Sequence, residues 1–199
     1  MDTITAISQR RSIRKFLPKE IDNKTIEKIL EAGILAPSAK NTQPWKFVVI
    51  TNKNKEGMLN ALKSGIEIEK SGNGLYKGEI AKSFINGAEY TLKIMEEAPI
   101  TIFVINTGNK ILFNRSYGEV FTEMANVQSI GASIQNILLA SGEYGIGSLW
   151  ICDIFIAYKE LCKWLNTDQQ LVAAISLGYP DENPPPRPRK GMGELVEWR

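Results

Sequence analysis

The sequence predicts a single domain of the α/β or α+β kind, with a sheet packed against helices. Three observations carry this. Four segments rich in β-branched and aromatic residues begin near Trp45, Ile100, Gly147 and Leu171, and one or more helical segments separate each from the next. After Phe121, apolar residues recur at spacings of three and four over a long stretch that carries almost no charge. The chain has 199 residues, 43% of them hydrophobic, which is enough to bury a proper core. Periodicity alone leaves α/β and α+β open.

Taken in order, residues 4–9 are an amphipathic segment predicted to be helical. They run into Arg10, Arg11, Ser12, Ile13, Arg14, Lys15 and Phe16. Guanidinium forks beside a serine hydroxyl can grip a phosphate. The other reading is a solvated basic face, and Ile13 argues against it by pinning the strip to the body. Pro18 breaks the segment. Asp22 suits the N-cap of a helix over residues 23–32, with Ile26, Ile29 and Leu30 as its apolar stripe and Gly33 loosening its end. Residues 36–45, APSAKNTQPW, form a proline-bracketed loop of small polar groups that leads into the strand WKFVVIT at 45–51. A rigid polar loop before a core strand can hold a ligand's amide-like edges, or be an ordinary turn.

Residues 53–64 are predicted as a surface helix, and 71–78, SGNGLYKG, as a mobile glycine-rich loop. A helix over 80–97 ends before Pro99, and ITIFVIN at 100–106 is a core strand. Residues 108–118 read as irregular, with Phe113 and Tyr117 exposed or half-buried. The central helix follows, with Met124, Val127, Ile130, Ile134, Ile137, Leu138 and Leu139 around it. Its polar residues, among them Ser129, Ser133, Gln135 and Asn136, are small or uncharged. Such a helix is expected to be buried, in a core or at an interface within a dimer. Gly131, Ala132 and Ala140 would admit a close neighbour, and Gly142 and Gly145 suit its end. Residues 147–152 read as a short strand, 157–165 as a helix with Leu161, Trp164 and Leu165 on one side, and 171–177 as the last core strand. Residues 180–199 read as an extended arm. Pro184, Pro185, Pro186 and Pro188 favour a polyproline conformation, with Arg187, Arg189 and Lys190 riding on it. Leu195, Val196 and Trp198 call for burial, which favours packing on a partner subunit over a disordered end.

Composition narrows the chemistry. A net charge of +2, from 24 basic and 22 acidic residues, is too balanced for nucleic acid or an anionic membrane as main partner. No apolar run is long enough to span a bilayer, and the start of the chain carries no signal-type hydrophobic region. Cys152 and Cys162 are the only cysteines, too few for a disulfide framework or a cysteine zinc site. A cytoplasmic location with reduced thiols is expected, and Cys152 reads as a buried inert thiol rather than a redox centre. There is no histidine. Serine–histidine and cysteine–histidine nucleophile systems are therefore excluded, as are the usual zinc and iron ligand sets, and no metal site is expected. An enzyme built this way would take its reactive group from a cofactor. Neither GxxxxGK[ST] nor a GxGxxG after a strand is present.

RRSIRKF at 10–16 and APSAKNTQPWKFVVI at 36–50 together resemble the nitroreductase family of FMN-dependent oxidoreductases. GIGSLWIC at 145–152 and GYPDENPPPRPRK at 178–190 are similar to the same family at matching spacing, so the resemblance covers most of the chain. It implies a three-layer α+β fold with a central mixed sheet flanked by helices. It further implies an intertwined homodimer that exchanges C-terminal arms, FMN sites at the interface built from both subunits, and NAD(P)H as co-substrate. Carried residue by residue, Arg10, Arg11, Ser12 and Arg14 match the N-terminal cofactor motif. Arg10 and Ser12 would sit by the FMN phosphate and ribityl chain, and Arg14 near N1 and the C2 carbonyl of the ring. Pro37, Ser38, Ala39 and Asn41 match a loop contributed by the second subunit, and Gln43 belongs to the same motif. Trp150, Ile151 and Cys152 match the strand end whose backbone faces the ring; some members carry Glu then Gly where this chain has Cys152 then Asp153. Arg187 and Arg189 match tail cations of the phosphate site, with Lys190 as a substitute.

On this reading a cation at Arg14 stabilises negative charge on the reduced ring, and no protein nucleophile is needed. The resemblance implies ping-pong, NAD(P)H-dependent reduction of nitroaromatics, quinones or similar conjugated small molecules. Its motifs concern the cofactor and leave the acceptor open. Ene reduction, reductive dehalogenation and flavin breakdown remain alternatives, as does a non-enzymatic flavin-storage protein. An RNA-binding protein using the arginines is a further class, which the charge balance opposes. Tyr76, Phe84, Phe113, Tyr117 and Phe121 are aromatic candidates for an acceptor pocket, or plain core.

Overall fold

The β-rich segments assemble into one sheet. The computed structural model describes residues 2–110 and 117–199 and places β1 (Trp45–Ile50), β2 (Ile100–Lys110), β3 (Gly147–Ile151) and β4 (Gln169–Gly178) in the order β1-β2-β4-β3. All three pairings are antiparallel, where a mixed sheet was expected. The reason lies in the connections. Two helices, α3 (Lys55–Lys70) and α4 (Gly78–Glu97), link β1 to β2 and return the chain reversed. One long helix, α5 (Tyr117–Glu143), then brings β3 back parallel to β2, but β4 inserts between them and alternates with both. Among the described residues the parallel contact that remains is a single bridge between Ser12 and Ser148.

Alternating side chains send each strand's apolar residues to opposite faces. Ile102 and Val104 of β2, with Ala173 and Ile175 of β4, pack on Ile29 of α2 (Asn23–Ile34) and on Ile130, Ile134 and Ile137 of α5. Phe103, Ile105 and Ala174 face Met58 and Leu62 of α3, Met95 of α4 and Leu161 of α6 (Tyr158–Trp164). The result is three layers, helix on sheet on helix. Full burial of one such Ile, Leu or Met side chain is worth about 1.5–3 kcal/mol.

Asp22 caps α2 as its position suggests, accepting the Thr25 amide at 3.0 Å. At the other end, α5 donates to two carbonyls in the last turn of α2, one of which, Gly33 O, also accepts the Ala36 amide. Ser133 Oγ donates to Gly33 O at 2.8 Å and Asn136 Nδ2 to Ala32 O at 3.0 Å. A Cβ on Gly33 would lie 2.7 Å from Ile137 Cγ1, so the close approach expected at Gly131 and Ala132 is made on the partner helix instead. Within the chain α5 is covered on one side only. Met124 is exposed, and Val127 and Leu139 are half-buried.

Two further expectations change. The helix predicted over 53–64 is α3, six residues longer at its C-terminal end, and it is amphipathic rather than superficial, with Met58, Leu62 and Ile66 in the core. The segment 71–78, expected to be mobile, is tethered: the buried Glu69 carboxylate accepts the amides of Leu75 and Tyr76. Beyond β4 the chain leaves the sheet, and α7 (Met192–Leu195) is a single short turn of helix. Among the described residues Leu195 and Trp198 are largely uncovered and Val196 partly so; Trp198 is 86% exposed. Phe113 lies outside the described residues. Among the described residues no helix is long and apolar enough to cross a membrane.

Candidate functional site: a basic groove and the cleft at the end of β3

The helix α1 (Thr3–Gln9) ends at Arg10, and the strip after it is held from two sides. Ile13 N donates to Ser148 O of β3 at 3.0 Å. Leu17 N donates to Tyr179 O at 2.9 Å, and Asp181 N donates to Lys15 O at 2.9 Å. The Arg14 amide donates to the Glu182 carboxylate. Ile13 and Phe16 anchor the strip where β3 and β4 pair at Gly147 and Gly178. Neither glycine can carry a side chain without a shift: a Cβ on Gly147 would lie 2.9 Å from Ile13, and one on Gly178 2.6 Å from Phe16. These two bare positions are the seat for the strip.

With Ile13 and Phe16 buried, Ser12 and Arg14 line the opposite, open side. There they meet the proline-rich tail. Arg10, Arg11, Ser12, Arg14, Arg187 and Arg189 surround one groove of about 730 Å³, with Pro184, Pro185 and Pro186 along its wall. The hydrogen bonds that Arg11, Arg14 and Arg189 make from their guanidinium groups go to backbone carbonyls. Among the described residues none of these five arginines forms an ion pair, and no carboxylate lines the groove. Concentrated, uncompensated guanidinium charge is suited to an oxyanion. Lys190 does not line it.

Arg14 also lines a second space, a cleft of about 350 Å³ shared with Tyr90, Thr91 and Ile94 of α4 and with Trp150, Ile151, Cys152 and Asp153. Ile151 is buried, so its contribution at the β3 end is through main chain. Thr91 Oγ1 donates to Asp153 Oδ2 at 2.9 Å. Cys152 is exposed rather than buried as expected, because it stands where β3 ends at the cleft. Although the residue is exposed at the surface, protein packed around the sulfur partly desolvates it and, with the Asp153 charge adding to this, pushes the Cys152 thiol up, so it remains protonated near neutrality.

Trp150 and Cys152 have a further neighbour, a largely apolar cavity of about 790 Å³ lined also by Leu75, Tyr76, Val127, Phe155 and Tyr158. Phe84 stacks behind Tyr76 with ring centroids 4.4 Å apart. Tyr117 and Phe121 are exposed and line none of these spaces.

The loop with Pro37, Ser38, Ala39, Asn41 and Gln43 stands apart. None of the five lines the groove, the cleft or the apolar cavity. Its shape is nonetheless tightly specified. Ala39 N donates to Ser129 Oγ of α5 at 3.2 Å, and Gln43 N to Ser38 Oγ at 2.9 Å. Lys40, Asn41 and Gln43 all have positive φ, between 46° and 54°. Non-glycine residues held this way are costly and concentrate at functional sites.

Sequence reasoning missed Tyr90, Thr91, Ile94 and Glu182. Thr91 and Ile94 fall on the buried stripe of α4, where they read as ordinary packing. A tyrosine one position from that stripe was the available signal.

The Nitroreductase family profile matches residues 7–179. The 4-nitrobenzoate reductase of Pseudomonas putida is 28% identical, over 92% of this chain and 87% of that protein. The NADPH-flavin oxidoreductase of Vibrio harveyi is 25% identical, over 94% and 70%. A nitroreductase-type chain from Desulfovibrio desulfuricans, solved in complex with FMN, superposes with a TM-score of 0.72 at 27% identity, covering 98% of this chain and 96% of that one. The α+β arrangement of a sheet between helix layers is thus one that the solved Desulfovibrio chain shares. This chain belongs to the nitroreductase family.

Proposed function

We propose that the chain is an FMN-dependent oxidoreductase that passes reducing equivalents from NAD(P)H to nitroaromatic, quinone or similar conjugated acceptors. The observation that carries this is the groove, where five guanidinium groups and the Ser12 hydroxyl converge without a neutralising ion pair among the described residues. A phosphate monoester dianion fits that donor set, because planar forks can each give two charge-assisted hydrogen bonds. Arg14 connects this groove to a cleft suited to a planar ring. The Pseudomonas relative is named for 4-nitrobenzoate, the Vibrio relative for NADPH and flavin, and the Desulfovibrio structure for FMN. These names support the reading by analogy.

FMN, when bound, supplies a two-electron carrier between donor and acceptor. The chain's own residues do the rest. Arg10, Arg11, Ser12, Arg187 and Arg189 hold the phosphate and the chain attached to it. Arg14 brings positive charge to the cleft, and the main chain of Trp150, Ile151 and Cys152 orients the ring edge. The apolar cavity beside Trp150, with Tyr76 and Phe155, excludes water and takes a planar acceptor. In overall balance NAD(P)H loses a hydride and becomes NAD(P)⁺, while a quinone gains that hydride and one proton to become the hydroquinone.

We read residues 1–199 as one domain whose arm, 180–199, reaches a second copy in a homodimer. Three features support this: the uncovered face of α5, the exposed Leu195, Val196 and Trp198, and the loop at Pro37, Ser38, Ala39, Asn41 and Gln43, which would reach the groove of a second copy. Neither nucleic acid nor membrane is expected as a partner, and a cytoplasmic location fits this reading.

The test is a visible spectrum of the purified protein before and after anaerobic NADH, then NADPH. Flavin bands that bleach with either donor are the expected result. A protein that stays colourless after FMN is added, or bound flavin that neither donor bleaches, overturns the proposal.

A further inference from the structure

We infer that Asp153 sets the reduction potential of the bound flavin by countering the charge of Arg14 in the cleft that both residues line. This rests on the flavin reading above. The cleft is lined by one cation and one carboxylate, Arg14 and Asp153, and its remaining polar side chains, Tyr90, Thr91 and Cys152, are uncharged hydroxyls and a thiol. Asp153 is the first residue after Cys152 at the end of β3, where a short helical turn begins. Its position is built rather than incidental. Thr91 is only 4% exposed, so its hydroxyl is fixed by the packing of α4, and it donates to Asp153 Oδ2. One turn earlier on the same face of α4 stands Gly87, where a Cβ would already lie 3.5 Å from that oxygen. The helix thus offers the carboxylate a hydrogen bond at one level and room at the next. Among the described residues no cation pairs with it. After the larger effect of burial, it adds to the upward push on the neighbouring Cys152 thiol.

Reduction by two electrons adds negative charge to the ring. A cation in the cleft favours that charge, and a carboxylate in the same cleft disfavours it. When a planar ring fills the cleft and displaces its water, both effects strengthen, because screening by solvent is lost. Arg14 alone would make the reduced cofactor a weak donor. With Asp153 in the same cleft, the reduced cofactor gives up its electrons more readily, which widens the range of acceptors it can reduce.

The experiment is an anaerobic spectral titration of the FMN-loaded protein against a reference dye, giving the midpoint potential without any acceptor turnover. Asp153→Asn removes the charge and keeps an oxygen for Thr91, and Asp153→Ser guards against a failure of the first variant to fold. Both are expected to raise the midpoint. For Asp153→Asn the rise is about 30 mV, a roughly tenfold gain in binding of reduced over oxidised cofactor for a two-electron couple. Arg14→Gln is expected to lower it. A midpoint that stays put or falls in both Asp153 variants, while Arg14→Gln lowers it, overturns the inference and leaves the flavin reading intact. Wild-type protein that binds no FMN overturns both.

Discussion

Arg14 holds two places at once. Its amide is tied to Glu182 of the tail, and its side chain lines both the groove and the cleft. Any ligand that spans the two spaces passes this residue. Arg187 and Arg189 serve only the groove, which separates their roles experimentally. Replacing either by Ala should weaken FMN binding about tenfold or more, since a hydrogen bond to a charged group is worth about 1.5–3 kcal/mol. Riboflavin, which lacks the phosphate, should bind wild type and variants alike; fluorescence titration of both flavins checks this. Cys152 makes a second prediction at this scale. Its thiol lies above the ordinary 9.0, mainly through burial. Alkylation by iodoacetamide should therefore be slower than for free cysteine at neutral pH, and should accelerate only in more alkaline solution, as read by mass spectrometry.

Between β3 and the N-terminal strip the fit is set by absent side chains. Gly147→Ala or Gly178→Ala would drive a methyl into Ile13 or Phe16. Overpacking of this kind typically costs about 1–3 kcal/mol, or about 2–4 °C in Tm per kcal/mol for a domain of this size. Flavin affinity should fall with Tm, because the strip carries Arg10, Ser12 and Arg14. The cap of α2 gives a pH test. Hydrogen bonds from the Thr25 hydroxyl and then the Thr25 amide hold Asp22 below its ordinary 3.8. Its contribution is complete above that value and is lost as pH falls through the depressed folded value. Thermal melts should show the advantage of wild type over Asp22→Asn shrinking in acid, because the amide cap does not titrate. Helices and strands of this chain were legible because their signals are local: Asp22 before an apolar stripe, β-branched runs after Trp45 and Ile100. The cleft was legible from Arg14 and from the end of β3, and its α4 side was not. Thr91 and Asp153 meet across 62 residues of sequence, and nothing in the period of α4 distinguishes a hydroxyl aimed at a carboxylate from one aimed at a core. The strand directions escaped for a similar reason, since the insertion of β4 between β2 and β3 is a property of the whole sheet.

At the scale of the molecule, the face of α5 and the end of the arm are apolar surfaces without cover in one chain. Trp198 is the clearest case. If it anchors in a second copy, Trp198→Ala should behave as an interface hot spot, costing about 2 kcal/mol or more, a roughly thirtyfold weaker dimer. Sedimentation velocity across a concentration series checks this, and a wild-type protein that sediments as a monomer at all concentrations would sink the homodimer. The left-handed loop at Lys40, Asn41 and Gln43 belongs to the same question, since its shape is held by α5 while it lines neither the groove, the cleft nor the apolar cavity.

The groove is made from the two ends of the chain, residues 7–14 and 184–189, with the rest of the fold between them. On the proposed reading, a phosphate gripped from both sides would act as a removable cross-link, a clasp closed over the fold that lies between them. A ligand that binds only the closed form stabilises it in proportion to the logarithm of its concentration over Kd. Stripping the flavin should loosen the termini first and leave the sheet intact. Hydrogen exchange should then quicken at residues 10–17 and 179–189 well before it does in β2 or β4. On the reading proposed above, the cofactor would fasten the strip at residues 7–14 to the segment 184–189 as well as equip the cleft.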